Sequence, residues 1–148
     1  MKNVMKTEFS ALAENEAFAR ATAASFIMPL DPTVEELTEV KTAVSEAVSN
    51  SIIHGYGGCE DKASERVIME CAVFENGKVV ITIEDEGVGI EDVEKAREPL
   101  FSTGDSEERS GMGFTVMESF MDKVKVKSEK GKGTTVILTK YLDVVSDL

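Results

Sequence analysis

Histidine and cysteine are nearly missing from this chain, with one His and two Cys in 148 residues. His54, Cys59 and Cys71 form neither a CxxC pair nor a cluster with metal-ligand spacing, which excludes a structural zinc site. The two thiols suit free, buried or half-buried cysteines in a reducing compartment. Basic residues are also scarce: 16 Lys and Arg face 28 Asp and Glu, a formal net charge of -12. Phosphate-backbone binding needs clustered Lys and Arg, so direct nucleic-acid binding is disfavoured. The same charge suits a partner with a basic surface and is common in soluble proteins generally. No apolar run approaches the roughly 18 residues that a membrane span needs. Met1–Lys2–Asn3 leads into no signal-like stretch. The expectation is a soluble, cytoplasmic protein with no membrane contact.

What is present is enough for a core. With 42% hydrophobic residues, residues 1–148 read as a single domain. Val4–Phe9 reads as a first strand. A helix follows from Glu14 towards Leu30, with Asn15 as its cap and Phe18, Thr22 and Phe26 on one stripe. Pro29 and Pro32 break the chain around Asp31. Thr33–Glu36 is a capping box that opens a long helix through Leu37, Val40, Val44, Val48 and Ile52, ending near Gly55–Gly58. Cys59–Glu65 reads as a polar loop. Arg66–Phe74 and Lys78–Glu84 are β-rich runs joined by Asn76–Gly77, a strong hairpin signal. Glu91–Arg97 reads as a short helix stopped by Pro99, and 100–110 as a flexible segment. A helix is expected over Gly113–Met121, then strands Lys123–Lys127 and Thr134–Tyr141 about a Gly131–Gly133 turn. The sum is α+β: a two-layer α/β sandwich, with a mixed, mostly antiparallel sheet and helices on one face.

Three motifs carry chemistry. Glu46 and Asn50 lie one helical turn apart, so both project from one face. An amide oxygen suits magnesium, and a carboxylate beside it can take a proton from a nucleophile; the plain alternative is an exposed polar pair. Asp85–Glu86–Gly87–Val88–Gly89 follows a strand. Its carboxylate can accept from an exocyclic amine such as that of adenine, and its glycines admit a flat ligand; a strand-ending turn is the plain alternative. Ser110–Gly111–Met112–Gly113 precedes an apolar helix, where free N–H groups can hold phosphate and Arg109 can neutralise a terminal oxygen. It is neither a Walker A loop nor a Rossmann fingerprint. Gly131–Thr135 serves as a hairpin turn, with a threonine hydroxyl in reach of an adenine edge. His54 reads as a helix-end or core histidine, and Met112, Met117 and Met121 as core.

Together these residues resemble the ATPase family that includes gyrase, the heat-shock chaperone, histidine kinases and the mismatch-repair ATPase. Glu46–Asn50 looks like its N box, Asp85–Gly89 its first glycine box and Ser110–Phe114 its second. Within the family, Glu46–Tyr56 and Glu108–Phe120 are most similar to anti-sigma factors of sporulating bacilli that are serine kinases, and the likeness runs from Phe9 to Leu138. The resemblance implies a Bergerat-type ATP-binding fold and a homodimer that silences a sporulation sigma factor. It also implies phosphorylation of a serine on an anti-anti-sigma protein. By motif, Glu46 would be the general base and Asn50 the Mg²⁺ ligand, with ATP or ADP as the nucleotide. Asp85, Gly87, Gly89 and Thr134 or Thr135 would lie at adenine. Gly111 and Gly113, with Ser110, Arg109 and Thr103 nearby, would lie at the phosphates, and Arg20 would contact a partner. The chain departs from the family pattern in a longer loop at 57–65 and in Gly104, where a lysine is expected within the ATP lid, residues 100–109. A general-stress anti-sigma kinase and a non-catalytic nucleotide-dependent binding module are the alternatives. The catalytic half of a histidine kinase fits less well, because it needs a phospho-accepting His on a dimerising helix pair.

Overall fold

The structure, a computed structural model, describes residues 3–93, 97 and 113–143. The strands are β1 Asn3–Ser10, β2 Arg66–Val73, β3 Lys78–Asp85, β4 Lys123–Glu129 and β5 Gly133–Tyr141. They make one sheet in the order β1-β2-β3-β5-β4. Where the sequence allowed a mixed sheet, every described pairing is antiparallel. β2 and β3 form the expected hairpin, and Gly77 in its turn has φ 87°, a conformation open to glycine at little cost.

Alternation along the strands decides which face the helices cover. Val67, Met69, Cys71 and Val73 of β2 and Val79, Ile81 and Ile83 of β3 all point inward, and so do Val136 and Leu138 of β5. Onto them pack helices α1 Asn15–Ile27, α2 Val34–Asn50 and α3 Phe114–Phe120. Asp85 occupies the next inward position after Val79, Ile81 and Ile83. The register therefore drives this carboxylate into the core side of the sheet end, where it is 5% exposed.

α2 begins as its sequence dictates. The Thr33 hydroxyl accepts from the Glu36 N–H at 3.0 Å, and the Glu36 carboxylate accepts from the Thr33 N–H at 2.9 Å. Two orphan donors of the first turn are thereby satisfied. α1 departs from expectation in two ways. Glu14 stands at its N-cap with no side-chain cap bond, while the Asn15 side-chain amide donates to the Ser10 carbonyl at 2.9 Å. Its buried face is the row Ala19, Ala23 and Ile27, and Phe18 is 48% exposed. Small residues let α1 approach α2 closely, which displaces the aromatic stripe to the rim. There the Phe18 ring meets Phe9 edge-on at 5.9 Å.

Residues 94–96 of the helix expected over Glu91–Arg97, and the whole segment 100–110, lie outside the described residues. Cys59 is half-buried and Cys71 is buried, and both are free thiols. No helix among the described residues is long and apolar enough to cross a membrane.

Candidate functional site

α2 delivers the first half of the site. Val40, Ala43, Val44, Ala47 and Val48 take its buried stripe, so Glu46 and Asn50 emerge together on its flank, half-buried. At Asn50 the α-helix gives way to a π-helical turn, Ser51–Gly55, closed by the Tyr56 N–H donating to the Ser51 carbonyl at 3.0 Å. Such widened turns occur often at functional sites. Here the wide turn sets Asn50, Ser51, His54 and Gly55 along one wall of a cleft. Asp85, Val88, Gly89, Ile90, Phe114 and Thr134 line the rest. Counting the open solvent at its mouth, the cleft holds about 510 Å³.

Asp85 forms the floor. Burial pushes its carboxyl above the usual aspartate value. The Gly87 N–H, the Ser51 hydroxyl and the Thr134 backbone oppose that shift through hydrogen bonds. The Gly87 bond is 2.9 Å. A buried carboxylate held by several donors, with a cleft beside it, can accept a further hydrogen bond from an N–H placed in that cleft. The surrounding glycines are steric necessities. A side chain at Gly55 would begin 2.9 Å from Asp85 Oδ1, and one at Gly87 would run into the Gly55 carbonyl. The Val88 N–H donates to that carbonyl at 2.9 Å, so the turn lies flat on the π-helical segment.

Thr134 pairs with Asp85 across β3 and β5, and its hydroxyl shares a 2.8 Å hydrogen bond with Ser128. Thr135, its neighbour in the sequence reading, alternates to the other face of the sheet, away from the cleft. Ser128 Oγ also accepts from the Ile90 N–H at 2.7 Å, fastening the end of the glycine turn to β4.

Glu46 stands one turn of α2 before Asn50. Burial first, and the Glu16 carboxylate of α1 second, raise its pKa above the usual glutamate value. Gly113, with φ 74°, caps α3 directly against it, and a side chain at 113 would collide with the Glu46 carboxylate. Arg20 lies apart from the cleft on α1. Its guanidinium donates to both Glu16 carboxylate oxygens at 3.1 Å and to Ser45 Oγ at 3.3 Å.

Of the residues singled out from sequence, Asn50, Asp85, Gly89 and Thr134 share one cleft. Gly87 and Gly113 adjoin it through Asp85 and Glu46. Thr103, Arg109, Ser110 and Gly111 lie outside the described residues, as does the segment 100–109. Sequence reasoning missed Ser51, Gly55 and Tyr56 as parts of the site. Their contacts run to residues about thirty positions away, and no local pattern announces them.

The sequence matches the family described as Histidine kinase-like ATPase domain over residues 9–140. It is 56% identical to an anti-sigma F factor of Geobacillus sp. over 142 residues, covering 96% of this chain and 94% of the relative. It is 55% identical to an anti-sigma F factor of Clostridium acetobutylicum, covering 99% of each. Its fold is similar to a crystal structure of the RsbU and RsbW domains of a Mycobacterium tuberculosis protein. That likeness has a TM-score of 0.67 at 17% identity and covers 95% of this chain and 33% of that one.

Proposed function

The chain belongs to the anti-sigma F factor family of histidine kinase-like ATPase domains, and from that premise we propose an anti-sigma factor that is also a serine kinase. It binds and silences a sporulation sigma factor, and with ATP it phosphorylates a serine of the anti-anti-sigma protein that otherwise displaces that factor. The observation that carries the enzymatic part is the pairing of Glu46 and Asn50 on one flank of α2, beside a cleft floored by the buried Asp85.

Each residue has a role in this reading. The Asp85 carboxylate accepts from the exocyclic amine of adenine, with the glycine turn beneath the base and Thr134 at its edge. Asn50, on the cleft wall, would be the neutral oxygen donor for a hard cation such as Mg²⁺. When bound, that ion neutralises charge on the triphosphate. Glu46 takes the proton that a serine hydroxyl must lose on attack. A base beside the metal ligand fits a hydroxyl acceptor better than an imidazole, which can attack without losing a proton first. Gly113 lets the start of α3 pack directly against the Glu46 carboxylate, and Gly111, Ser110, Arg109 and Thr103 are assigned to the phosphate end. Arg20 belongs to the partner-binding surface.

A homodimer is part of the proposal. β1 is an edge strand, and Val4, Phe18 and Met28 stand exposed on or near α1 and β1. Such an edge is a ready site for pairing.

The protein is to be incubated with γ-labelled ATP, Mg²⁺ and the cognate anti-anti-sigma protein, and the product analysed for phosphoamino acids. Phosphoserine on the partner is expected; nucleotide turnover without label on that protein would sink the kinase reading. A pH prediction attaches to the same assay. Glu46 must be ionised to act, and its pKa stands above the ordinary glutamate value. Transfer should therefore fall away on acidification at a pH higher than an unperturbed glutamate would give. In Glu46→Gln that acid limb should vanish from the residual rate.

A further inference from the structure

The antiparallel ladder between β2 and β3 stops at a peculiar rung. Val67 pairs with Asp85, so the next rung would set Arg66 opposite Glu86. That rung is not closed by the strands themselves. The Tyr56 hydroxyl sits in it, donating to the Arg66 carbonyl at 2.7 Å and accepting from the Glu86 N–H at 2.7 Å. Tyr56 is 2% exposed and immediately follows the π-helical turn. A phenol oxygen spliced between the two strands holds them apart where β3 leaves the sheet.

The neighbouring contacts act on the same turn. Ser51 bonds the Asp85 side chain, Tyr56 bonds the Glu86 N–H and the Gly55 carbonyl accepts from the Val88 N–H. Three residues of one segment thus grip three residues of the turn. The Tyr56 bond differs from the others because it replaces a strand–strand hydrogen bond that would otherwise pull the turn towards β2. Burial also pushes the phenol above its usual pKa, so the hydroxyl keeps the proton it donates.

We propose that Tyr56 is a positioning residue: its hydroxyl, inserted into the Arg66–Glu86 rung, holds the Asp85 turn in its base-reading geometry and so sets the preference for adenine over guanine nucleotides. This rests on Asp85 reading the adenine amine, as argued above. Guanine offers a carbonyl where adenine offers that amine, so a correctly aimed carboxylate favours one and repels the other. Without the hydroxyl, the Glu86 N–H and the Arg66 carbonyl can close directly on each other, and the carboxylate swings with the turn.

The test compares wild type and Tyr56→Phe by titration with Mg-ATP and Mg-GTP, with thermal unfolding of each. The Kd for ATP should rise about tenfold in Tyr56→Phe, which is about 1.4 kcal/mol, while the Kd for GTP moves less than twofold, so the preference shrinks. An unchanged ATP to GTP ratio in a folded Tyr56→Phe overturns the inference, even if its Tm falls, because that is what a purely structural tyrosine would do. A wild type that binds ATP no better than GTP overturns the adenine reading itself and this inference with it. Should Tyr56→Phe fail to fold, amide exchange at Glu86 in the wild type decides. Slowing on addition of Mg-ATP but not Mg-GTP supports the inference, and equal exchange in both overturns it.

Discussion

Replacing Glu46 with Gln should reduce serine phosphorylation by roughly 10²–10⁴-fold, the usual contribution of a positioned general base. Gln keeps the size of the side chain against Gly113, where space is so short that residue 113 can carry no Cβ. It also removes the charge that Glu16 opposes, so the fold should not suffer. Nucleotide affinity should change little, because the carboxylate flanks the cleft and does not line it. The measurement is a single-turnover transfer rate with Mg-ATP affinity determined in parallel. A transfer rate within a few-fold of wild type would remove Glu46 from the chemistry. A large loss of affinity would mean instead that it binds nucleotide.

The second large effect belongs to Asp85→Asn and falls on binding. The substitution is nearly isosteric, and Asn can still accept, but through only one oxygen instead of two. It loses the negative charge that three donors converge on, since Gly87, Ser51 and Thr134 all bond this side chain. Its amide group must also turn N–H groups towards either those donors or the ligand's amine. A hydrogen bond to a charged group is worth about 1.5–3 kcal/mol, so ATP affinity should fall by about ten- to hundredfold. The fold should be retained, because relief of the burial cost of a charge offsets the weakened bonds from Gly87, Ser51 and Thr134. Calorimetric titration with Mg-ATP measures this. Wild-type affinity in Asp85→Asn would refute adenine recognition by this residue.

These two substitutions separate functions that lie on different elements. In the proposed function α2 carries the base and the oxygen donor for the cation, while the end of β3 carries the base-reading carboxylate. The π-helical turn joins them. A substitution at Glu46 therefore strikes rate, and one at Asp85 strikes affinity.

How much of this could be read from the sequence depended on whether the cause was local. The capping box at Thr33 and Glu36 is satisfied within one turn, and the Asn76–Gly77 hairpin within a few residues. Both elements appear in the structure as the chain announces them. Asp85 stood out in the sequence only as an acid between a strand end and two glycines. That it is buried, at the inward place after Val79, Ile81 and Ile83, is what the structure adds, and a buried acid is costly unless it has partners. The α1 face was misjudged because aromatic residues dominate any hydrophobic stripe by size, yet close helix packing selects Ala19 and Ala23. The cap was misjudged because Asn15 spends its side chain on Ser10, a tertiary contact. Tyr56 was invisible as part of the site: its partners are backbone groups of Arg66 and Glu86, brought to it only when β2, β3 and the π turn assemble.

The most direct test of the cleft as an ATP site is a crystal structure of the chain with Mg²⁺ and a non-hydrolysable ATP analogue. The account predicts the adenine amine within hydrogen-bond distance of the Asp85 carboxylate, the metal on Asn50 Oδ1 and the terminal phosphate beside Glu46. Nucleotide seated elsewhere, or bound here with its amine turned from Asp85 and its metal clear of Asn50, would contradict it.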